Sequence, residues 1–162
     1  MENLSKRQIA LAFFEKSPEL AEVKVSYKRR LQVSLKITTS RDSFDVLYSL
    51  FDKDTFAYRE EFIVLFLNRA NRVLGWARVS LGGISGTVVD TKIVFVLAIQ
   101  TGASSIVVSH NHPSGNTKPS EADIKLTKQL KEAGKFLEIP LLDHLILTPE
   151  GEFFSFADEG ML

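Results

Sequence analysis

Two histidines separated by one residue are the most distinctive chemical feature of the sequence. His110 and His112 follow a short apolar segment, and a loop rich in Pro, Gly and Asn leads from them to a predicted helix that begins at Ser120. Side chains two residues apart in an extended chain point to the same side, so both imidazoles can approach one cation. Asp123, in the first turn of the helix, can add a carboxylate oxygen. The sequence therefore predicts a metal site with two nitrogen ligands and one oxygen ligand.

Such a site is suited to hydrolysis. Three protein ligands leave the fourth tetrahedral position of zinc open for water, and zinc lowers the pKa of that water towards about 7. A base is still needed, because the metal would occupy both histidines. Glu60, at the start of another predicted strand, is the candidate. Structural roles compete with these interpretations, since Ser120 and Asp123 also fit a helix capping box and a histidine in a loop often only makes hydrogen bonds.

The hydrophobic pattern predicts the elements that would position these residues. Strands are expected over residues 62–67 and 105–108, because near-continuous apolar runs are typical of strands buried on both faces. The remaining predicted elements are a helix over 5–18, a hairpin with strands at 23–27 and 31–37, a helix capped by Ser40 or Asp42, a strand over 73–80, helices over 91–101 and 120–137, and strands over 141–147 and 153–156. This order predicts a three-layer α/β domain with a mixed sheet.

The composition limits both ligands and partners. The chain has no cysteine, so disulfides, cysteine-ligated zinc fingers and iron–sulfur clusters are excluded, and a metal must be held by nitrogen and oxygen. The 20 Lys and Arg balance 20 Asp and Glu, so the net charge provides no attraction for nucleic acid. The sequence shows neither a signal peptide nor an apolar run of about 20 residues. We expect a cytoplasmic protein without a membrane segment.

The spacing H-x-H-P-x6-S-x2-D, from His110 to Asp123, resembles the JAMM (MPN+) signature of zinc metalloproteases and deubiquitinating isopeptidases. The segment Ser-His-Asn-His-Pro-Ser-Gly at 109–115, Leu-Asp-His at 142–144 and Phe-Ser-Phe-Ala at 154–157 are together similar to the bacterial RadC family. The segment 59–68 resembles the strand of that family that bears its acidic residue. The resemblance covers residues 40–162, about three quarters of the chain. It implies an MPN/JAB domain with a fold like that of cytidine deaminases.

The resemblance also implies roles for individual residues. His110, His112 and Asp123 would be zinc ligands, Glu60 would accept a proton from the activated water and pass it to the leaving amine, and Ser120 would stabilise the tetrahedral oxyanion. A purely capping role for Ser120 is the alternative.

Two residues close to the predicted site, Glu61 and His144, are expected to have structural roles. Glu61 points to the opposite face of its strand from Glu60, so only one of the two can face the metal, and Glu61 is expected to be a solvated neighbour. His144 is expected to be a core or hydrogen-bonding residue beside the ligands rather than an additional ligand.

The chain departs from the family at its N-terminal end. Larger RadC proteins carry an N-terminal helix–hairpin–helix region that binds the DNA backbone, and residues 1–39 are too short for it and lack its Gly-rich turns. We therefore expect residues 1–39 to form a helix and hairpin extension, acting as a lid, an additional sheet edge or a contact in a homodimer. Residues 40–162 would form the metal domain. The neutral charge also argues against nucleic-acid binding.

Three functions stay open at this stage. The first is a zinc-dependent metallopeptidase or isopeptidase that acts on an unidentified peptide or protein. The second is an accessory protein of DNA repair or recombination, which family naming alone supports. The third is a non-catalytic interaction module whose zinc is structural.

Overall fold

The computed structural model describes residues 35–82 and 89–162, which contain three helices and five strands. In chain order these elements are α1 (Ser40–Leu50), β1 (Glu61–Leu67), β2 (Val73–Leu81), α2 (Thr91–Thr101), β3 (Ser105–Asn111), α3 (Glu121–Phe136), β4 (Leu141–Leu147) and β5 (Phe153–Ser155). The predicted helix at 5–18 and the hairpin as far as residue 34 lie outside the described residues.

The five strands form one mixed sheet with the order β2-β1-β3-β4-β5. Among the described strands, β3 and β4 are the one parallel pair, and the other pairs of adjacent strands are antiparallel. Every residue of β1 and of β3 is buried. Central strands covered on both faces need apolar residues at successive positions, which is why the run at 62–67 predicted β1 correctly.

The two faces of the sheet contact two separate hydrophobic cores. One core packs alternate residues of β1, among them Ile63 and Leu65, against Phe44 and Leu47 of α1. The other core packs the intervening residues of β1, such as Val64, against α2 and α3. Helices therefore cover both faces, and the predicted three-layer α/β arrangement is confirmed.

The start of α1 differs from the prediction. Thr39 is the N-cap, and neither Ser40 nor Asp42 has that position. The Thr39 hydroxyl accepts a hydrogen bond from the backbone N–H of Asp42, and the Asp42 carboxylate accepts from the N–H groups of Thr38 and Thr39. A hydrogen bond from the Thr38 hydroxyl, followed by those from the two N–H groups, lowers the pKa of Asp42 to about 2. Asp42 thus completes the cap from inside the first turn, as an acidic residue three positions after a threonine can.

β3 is longer than its apolar segment. The prediction ended it at residue 108, whereas the strand continues to Asn111 and includes His110. Phe62 of β1 pairs with His110, and Leu147 of β4 pairs with Asn111. Flanking strands supply partners for the backbone of this polar end, so pairing extends the strand where hydrophobicity does not.

The helix boundaries otherwise follow the sequence closely. α2 occupies the predicted range and ends at Gly102, whose φ of 66° is in the left-handed region that glycine adopts without strain. α3 begins after Ser120 and ends at Phe136, one residue before the predicted end. In the described part of the chain, no helix combines the length and the hydrophobicity needed to cross a membrane.

Candidate metal centre

The sheet places the two histidines on the face that α3 covers. His110 is the sixth residue of β3, and His112 follows directly after the strand, with its N–H donating to the Leu147 carbonyl at 2.8 Å. Both side chains are largely buried, with 2% and 9% of the residue exposed. Because alternate residues of a strand face the same side, the two rings lie together, as predicted. Their Nε2 atoms are 3.1 Å apart.

α3 brings Asp123 to the same place. Asp123 Oδ1 lies 3.2 Å from His110 Nε2, and Oδ2 lies 3.6 Å from His112 Nε2. Oδ2 also accepts hydrogen bonds from the backbone N–H and the hydroxyl of Ser120, at 2.7 and 2.6 Å. The capping box is therefore formed. It orients the Asp123 carboxylate and still leaves it in contact with both histidines. Oδ1, which Ser120 does not contact, is the better placed ligand atom.

These three residues could hold a metal ion. Within the described ranges, His110, His112 and Asp123 form a group whose ligand atoms lie within 4.8 Å of one another. His112 Nδ1 is 2.6 Å from the carbonyl oxygen of Asn116, which can only accept, so Nδ1 carries the hydrogen and the neutral ring directs the lone pair of Nε2 into the group. A carboxylate oxygen likewise has only lone pairs. Acceptor atoms that converge in this way repel one another unless a cation lies between them, so the donor set fits a metal.

The loop after His112 fixes that hydrogen bond. Gly115 has a φ of 76° and donates its N–H to the carbonyl of His112 at 3.1 Å. This turn brings Asn116 back towards the His112 ring. A side chain at position 115 would also approach the Glu150 carboxylate, because a Cβ added there would lie 3.1 Å from its Oε2. Glycine at this position therefore allows the turn that orients the ligand.

The charges of the site favour an ionised aspartate. Burial by itself would raise the pKa of Asp123, but the imidazoles of His110 and His112, which in their protonated forms can donate to the carboxylate, hold that pKa well below its usual range. Burial would lower the pKa of His112, yet the hydrogen bonds with Asp123 and Asn116 and the charges of Asp123 and Glu60 raise it. Without a metal, the site thus attracts positive charge in the form of a proton.

Glu60 lies directly before β1, on the side of the histidines. In the β1–β3 pairing, Phe62 is opposite His110. Continuing this antiparallel register by two residues places Glu60 opposite His112, on the same face. The negative charge of Glu60 contributes to the raised pKa of His112, which agrees with this placement. The arrangement is the one a base for the metal site needs, and the catalytic role itself stays a prediction.

Glu61 is not the solvated neighbour that the sequence suggested. It is fully buried, on the opposite face of β1 from Glu60. Its Oε1 accepts from the Thr55 hydroxyl at 2.8 Å and lies 3.4 Å from Arg59 Nε, and its Oε2 lies 2.8 Å from Arg78 Nε. Two guanidinium groups and a hydroxyl compensate the buried charge, which explains how an acidic residue can occupy a core strand.

Asn111, between the two histidines, anchors the segment that carries Glu60. Its Oδ1 accepts from the backbone N–H of Glu61 at 2.7 Å, and its Nδ2 donates to the carbonyls of Phe56 and Arg59 at 2.7 and 2.9 Å. The central residue of the His-x-His sequence therefore fixes the chain on both sides of Glu60. The sequence analysis did not predict this role; its one signal is that strand alternation points the residue between the two histidines to the other face of the sheet.

His144 and Thr127 lie behind His110 and connect separate parts of the sequence. His144 Nε2 is 2.8 Å from His110 Nδ1, and His144 Nδ1 is 2.6 Å from the Thr127 hydroxyl. The ring of His144 is fully buried and stacks on Phe156 with centroids 4.9 Å apart. Burial and the nearby His110 lower its pKa well below the usual value. The expectation that His144 is a hydrogen-bonding residue beside the ligands is confirmed, whereas Thr127 was missed.

The Asp-His pair and the closing Phe-Ser-Phe segment form one unit. The Asp143 carboxylate accepts from the N–H of His144 at 2.7 Å, the hydroxyl of Ser155 at 2.7 Å and the N–H of Ala157 at 3.0 Å. Burial raises the pKa of Asp143, while these hydrogen bonds oppose the rise. The contacts hold Phe156 against His144. Two separate motifs of the sequence thus support a single ring behind His110.

Known proteins share the part of the chain that builds this site. A family model described as the RadC-like JAB domain matches residues 37–161. A UPF0758 protein from Flavobacterium johnsoniae is 46% identical over 126 residues, which are 78% of this chain and 53% of that protein. Another, from Porphyromonas gingivalis, is 43% identical over 64% of this chain and 46% of that protein. A third, from Chlorobaculum tepidum, is 33% identical over 95% of this chain and 72% of that protein.

The extent of these matches differs along the chain. The family model begins at residue 37, close to the predicted boundary between residues 39 and 40. The division into an extension and a metal domain stays a prediction. The chain spans about half the length of the first two of these relatives.

Proposed function

Because the chain belongs to the RadC family and carries a RadC-like JAB domain, we propose that it is a metal-dependent hydrolase of amide bonds, a metallopeptidase or isopeptidase acting on a peptide or protein. The observation that carries the proposal is the convergence of Nε2 of His110, Nε2 of His112 and Oδ1 of Asp123, with N–N and N–O distances of 3.1 and 3.2 Å. The Nδ1 atom of each ring already has a partner on the far side, so both Nε2 atoms are available to a cation.

Zinc is the ion we assign to this site. Two imidazole nitrogens and one carboxylate oxygen are a common donor set of catalytic zinc, and three protein ligands leave a position open. When bound, the ion would supply an activated water and polarise the carbonyl of the substrate. Nitrogen and oxygen ligands also accept other divalent metals, so metal analysis is part of the test below.

Glu60 is the residue we assign to proton transfer. Its carboxylate would accept a proton from the attacking water and deliver it to the amide nitrogen as the C–N bond breaks. Carboxylates that act in this way typically contribute about 10²- to 10⁴-fold to the rate. The position opposite His112 supports the assignment, as does the anchoring of the flanking backbone by Asn111.

Ser120 is the residue we assign to the oxyanion. It is the N-cap of α3, where backbone N–H groups and the helix dipole favour negative charge. Its hydroxyl donates to Asp123 Oδ2 at 2.6 Å in the structure. Stabilising an oxyanion therefore requires that this hydroxyl turn from Asp123 to the substrate.

The test combines metal analysis with cleavage assays on libraries of peptides and isopeptide-linked peptides. The native chain is compared with Glu60→Gln and with the control Glu121→Gln, which alters an exposed acidic residue in the first turn of α3. We expect one zinc per chain in all three proteins, and turnover about 10²- to 10⁴-fold lower in Glu60→Gln alone. A protein without a divalent metal, or equal cleavage by Glu60→Gln, would contradict the proposal.

A further inference from the structure

A chain of hydrogen bonds begins at His110 and returns to the residue that supplies the third ligand. His110 Nδ1 lies 2.8 Å from His144 Nε2, and His144 Nδ1 lies 2.6 Å from the Thr127 hydroxyl. That hydroxyl is also 2.6 Å from the backbone carbonyl oxygen of Asp123. His110, His144 and Thr127 are each at most 2% exposed, so water does not replace these partners.

The chemistry of the groups fixes the direction of every hydrogen bond in this chain. A carbonyl oxygen can only accept, and a threonine hydroxyl has a single hydrogen, so Thr127 must donate that hydrogen to Asp123. Its oxygen then accepts from His144, which places a hydrogen on His144 Nδ1. A neutral imidazole with a hydrogen on Nδ1 has a lone pair on Nε2. His110 must therefore donate to His144 from its own Nδ1.

We propose that Thr127 and His144 are positioning residues that hold His110 in the tautomer with the hydrogen on Nδ1, so that the lone pair of its Nε2 faces the metal position. The inference rests on the proposed metal site and not on amide cleavage. Asp123 takes part twice, because its carboxylate faces the metal position and its carbonyl ends the hydrogen-bond chain. The position of α3 thus controls both a ligand and the tautomer of another ligand.

In the opposite tautomer of His110, the Nε2 atom would carry a hydrogen and could not bind a metal. A hydrogen on His110 Nε2 would point towards Asp123 Oδ1, which is 3.2 Å away, and the two residues would form an ordinary hydrogen bond. In a metal-free site that bond competes with cation binding. The chain through His144 opposes it, because Nε2 of His144 needs a donor and His110 Nδ1 is the atom within reach.

The test measures tautomers in the metal-free protein, where neither metal nor activity is needed. Nitrogen-15 NMR of the imidazole rings at a pH where the rings are neutral would compare the native chain with Thr127→Ser and Thr127→Val. We expect hydrogens on Nδ1 of His144 and of His110 in the native chain and in Thr127→Ser, which keeps the hydroxyl. In Thr127→Val the acceptor for His144 is lost, so we expect its hydrogen to move to Nε2 and that of His110 to follow to Nε2.

A second readout is the affinity for zinc. Loss of a hydrogen-bond partner behind a metal-ligating histidine typically weakens binding about 10- to 100-fold. We expect that change in the zinc dissociation constant of Thr127→Val and little change in Thr127→Ser. A hydrogen on Nε2 of His144 in the native chain would overturn the inference even if Thr127→Val did not fold, and unchanged zinc affinity in a folded Thr127→Val would also overturn it. Failure to cleave amides would instead contradict the proposed function and leave the tautomer result unaffected.

Discussion

The two faces of β3 satisfy their polar groups in different ways. On the face towards α1, Asn111 uses its oxygen and both hydrogens in three hydrogen bonds to backbone groups. On the face towards α3, His110 and His112 direct Nε2 atoms at one another and at the Asp123 carboxylate. Residues one position apart in the sequence therefore lie in two different environments.

The difference separates a structural polar residue from the candidate metal-binding pair. Burial requires that polar groups find partners, and Asn111 meets that requirement inside the protein. The histidine pair meets it on the Nδ1 side, and its Nε2 atoms are left available to a cation. Glu60 and Glu61 repeat the contrast on β1, because Glu61 has internal partners whereas Glu60 faces the histidines.

Removing a ligand should have the largest effect. His112→Ala deletes one of the three convergent atoms, so we expect zinc affinity to fall by more than the loss of about 100-fold that is typical when an outer partner is removed. Competition with a fluorescent chelator would measure the zinc dissociation constant. Native affinity in His112→Ala would place the metal elsewhere.

Asn111→Ala should instead affect the fold. It leaves one N–H and two carbonyls without their partner, and an unsatisfied buried group costs about 1–3 kcal/mol. On that scale we expect the free energy of unfolding in urea denaturation to fall by about 3 kcal/mol. The control is Ser109→Ala on the same face of β3, since the buried hydroxyl of Ser109 has no hydrogen-bond partner among the described residues. Equal effects of the two substitutions would show that the three bonds contribute little.

Substitutions of Glu60 and Glu61 should differ in their effect on stability, by a smaller amount than the changes above. Glu61→Gln removes the charge that Arg59 and Arg78 contact, so we expect about 1–3 kcal/mol of destabilisation. Because both guanidinium groups are partly exposed, the effect should fall at the lower end of that range. Glu60→Gln should leave the free energy of unfolding within about 0.5 kcal/mol of the native value. Thermal and urea unfolding would measure the destabilisation of both variants. A larger loss of stability in Glu60→Gln than in Glu61→Gln would contradict the placement of Glu61 in the core and Glu60 beside the histidines.

The pH dependence of stability should reverse when metal is added. The raised pKa of His112 means that the metal-free folded state binds this proton above pH 6.5, where the unfolded state has released it. The resulting stability is fully present below about pH 6.5 and is lost as the pH rises through the higher folded-state pKa. Zinc needs the neutral ring, so zinc-dependent stability should rise over the same window. Urea unfolding with chelator and with zinc would show slopes of opposite sign, and equal slopes would exclude His112 as a ligand.

The sequence predicted the layers and the grouping of His110, His112 and Asp123, because both depend on short-range patterns. Apolar runs identified β1 and β4, and the alternation of strand side chains placed His110 and His112 together. The capping motif likewise located the start of α3 and hence Asp123. These inferences needed only the spacing of residues within one element and its neighbour.

The missed features depend on contacts between distant segments. Nothing in the local pattern shows that Asn111 reaches Phe56, that Thr127 meets His144, or that Arg78 compensates Glu61, because each contact is set by the register of the sheet or the position of a helix on it. For the same reason the apolar pattern ended β3 at residue 108, whereas the strand continues to Asn111. Pairing with both neighbouring strands overrides its composition.

The most direct test of the central claim is X-ray absorption spectroscopy at the zinc edge of the zinc-loaded protein. Two imidazoles and a carboxylate predict a shell of nitrogen and oxygen only, with outer scattering from two rings, and loss of one ring's contribution in His112→Ala. A shell of oxygen alone, or one that His112→Ala leaves unchanged, would contradict the account.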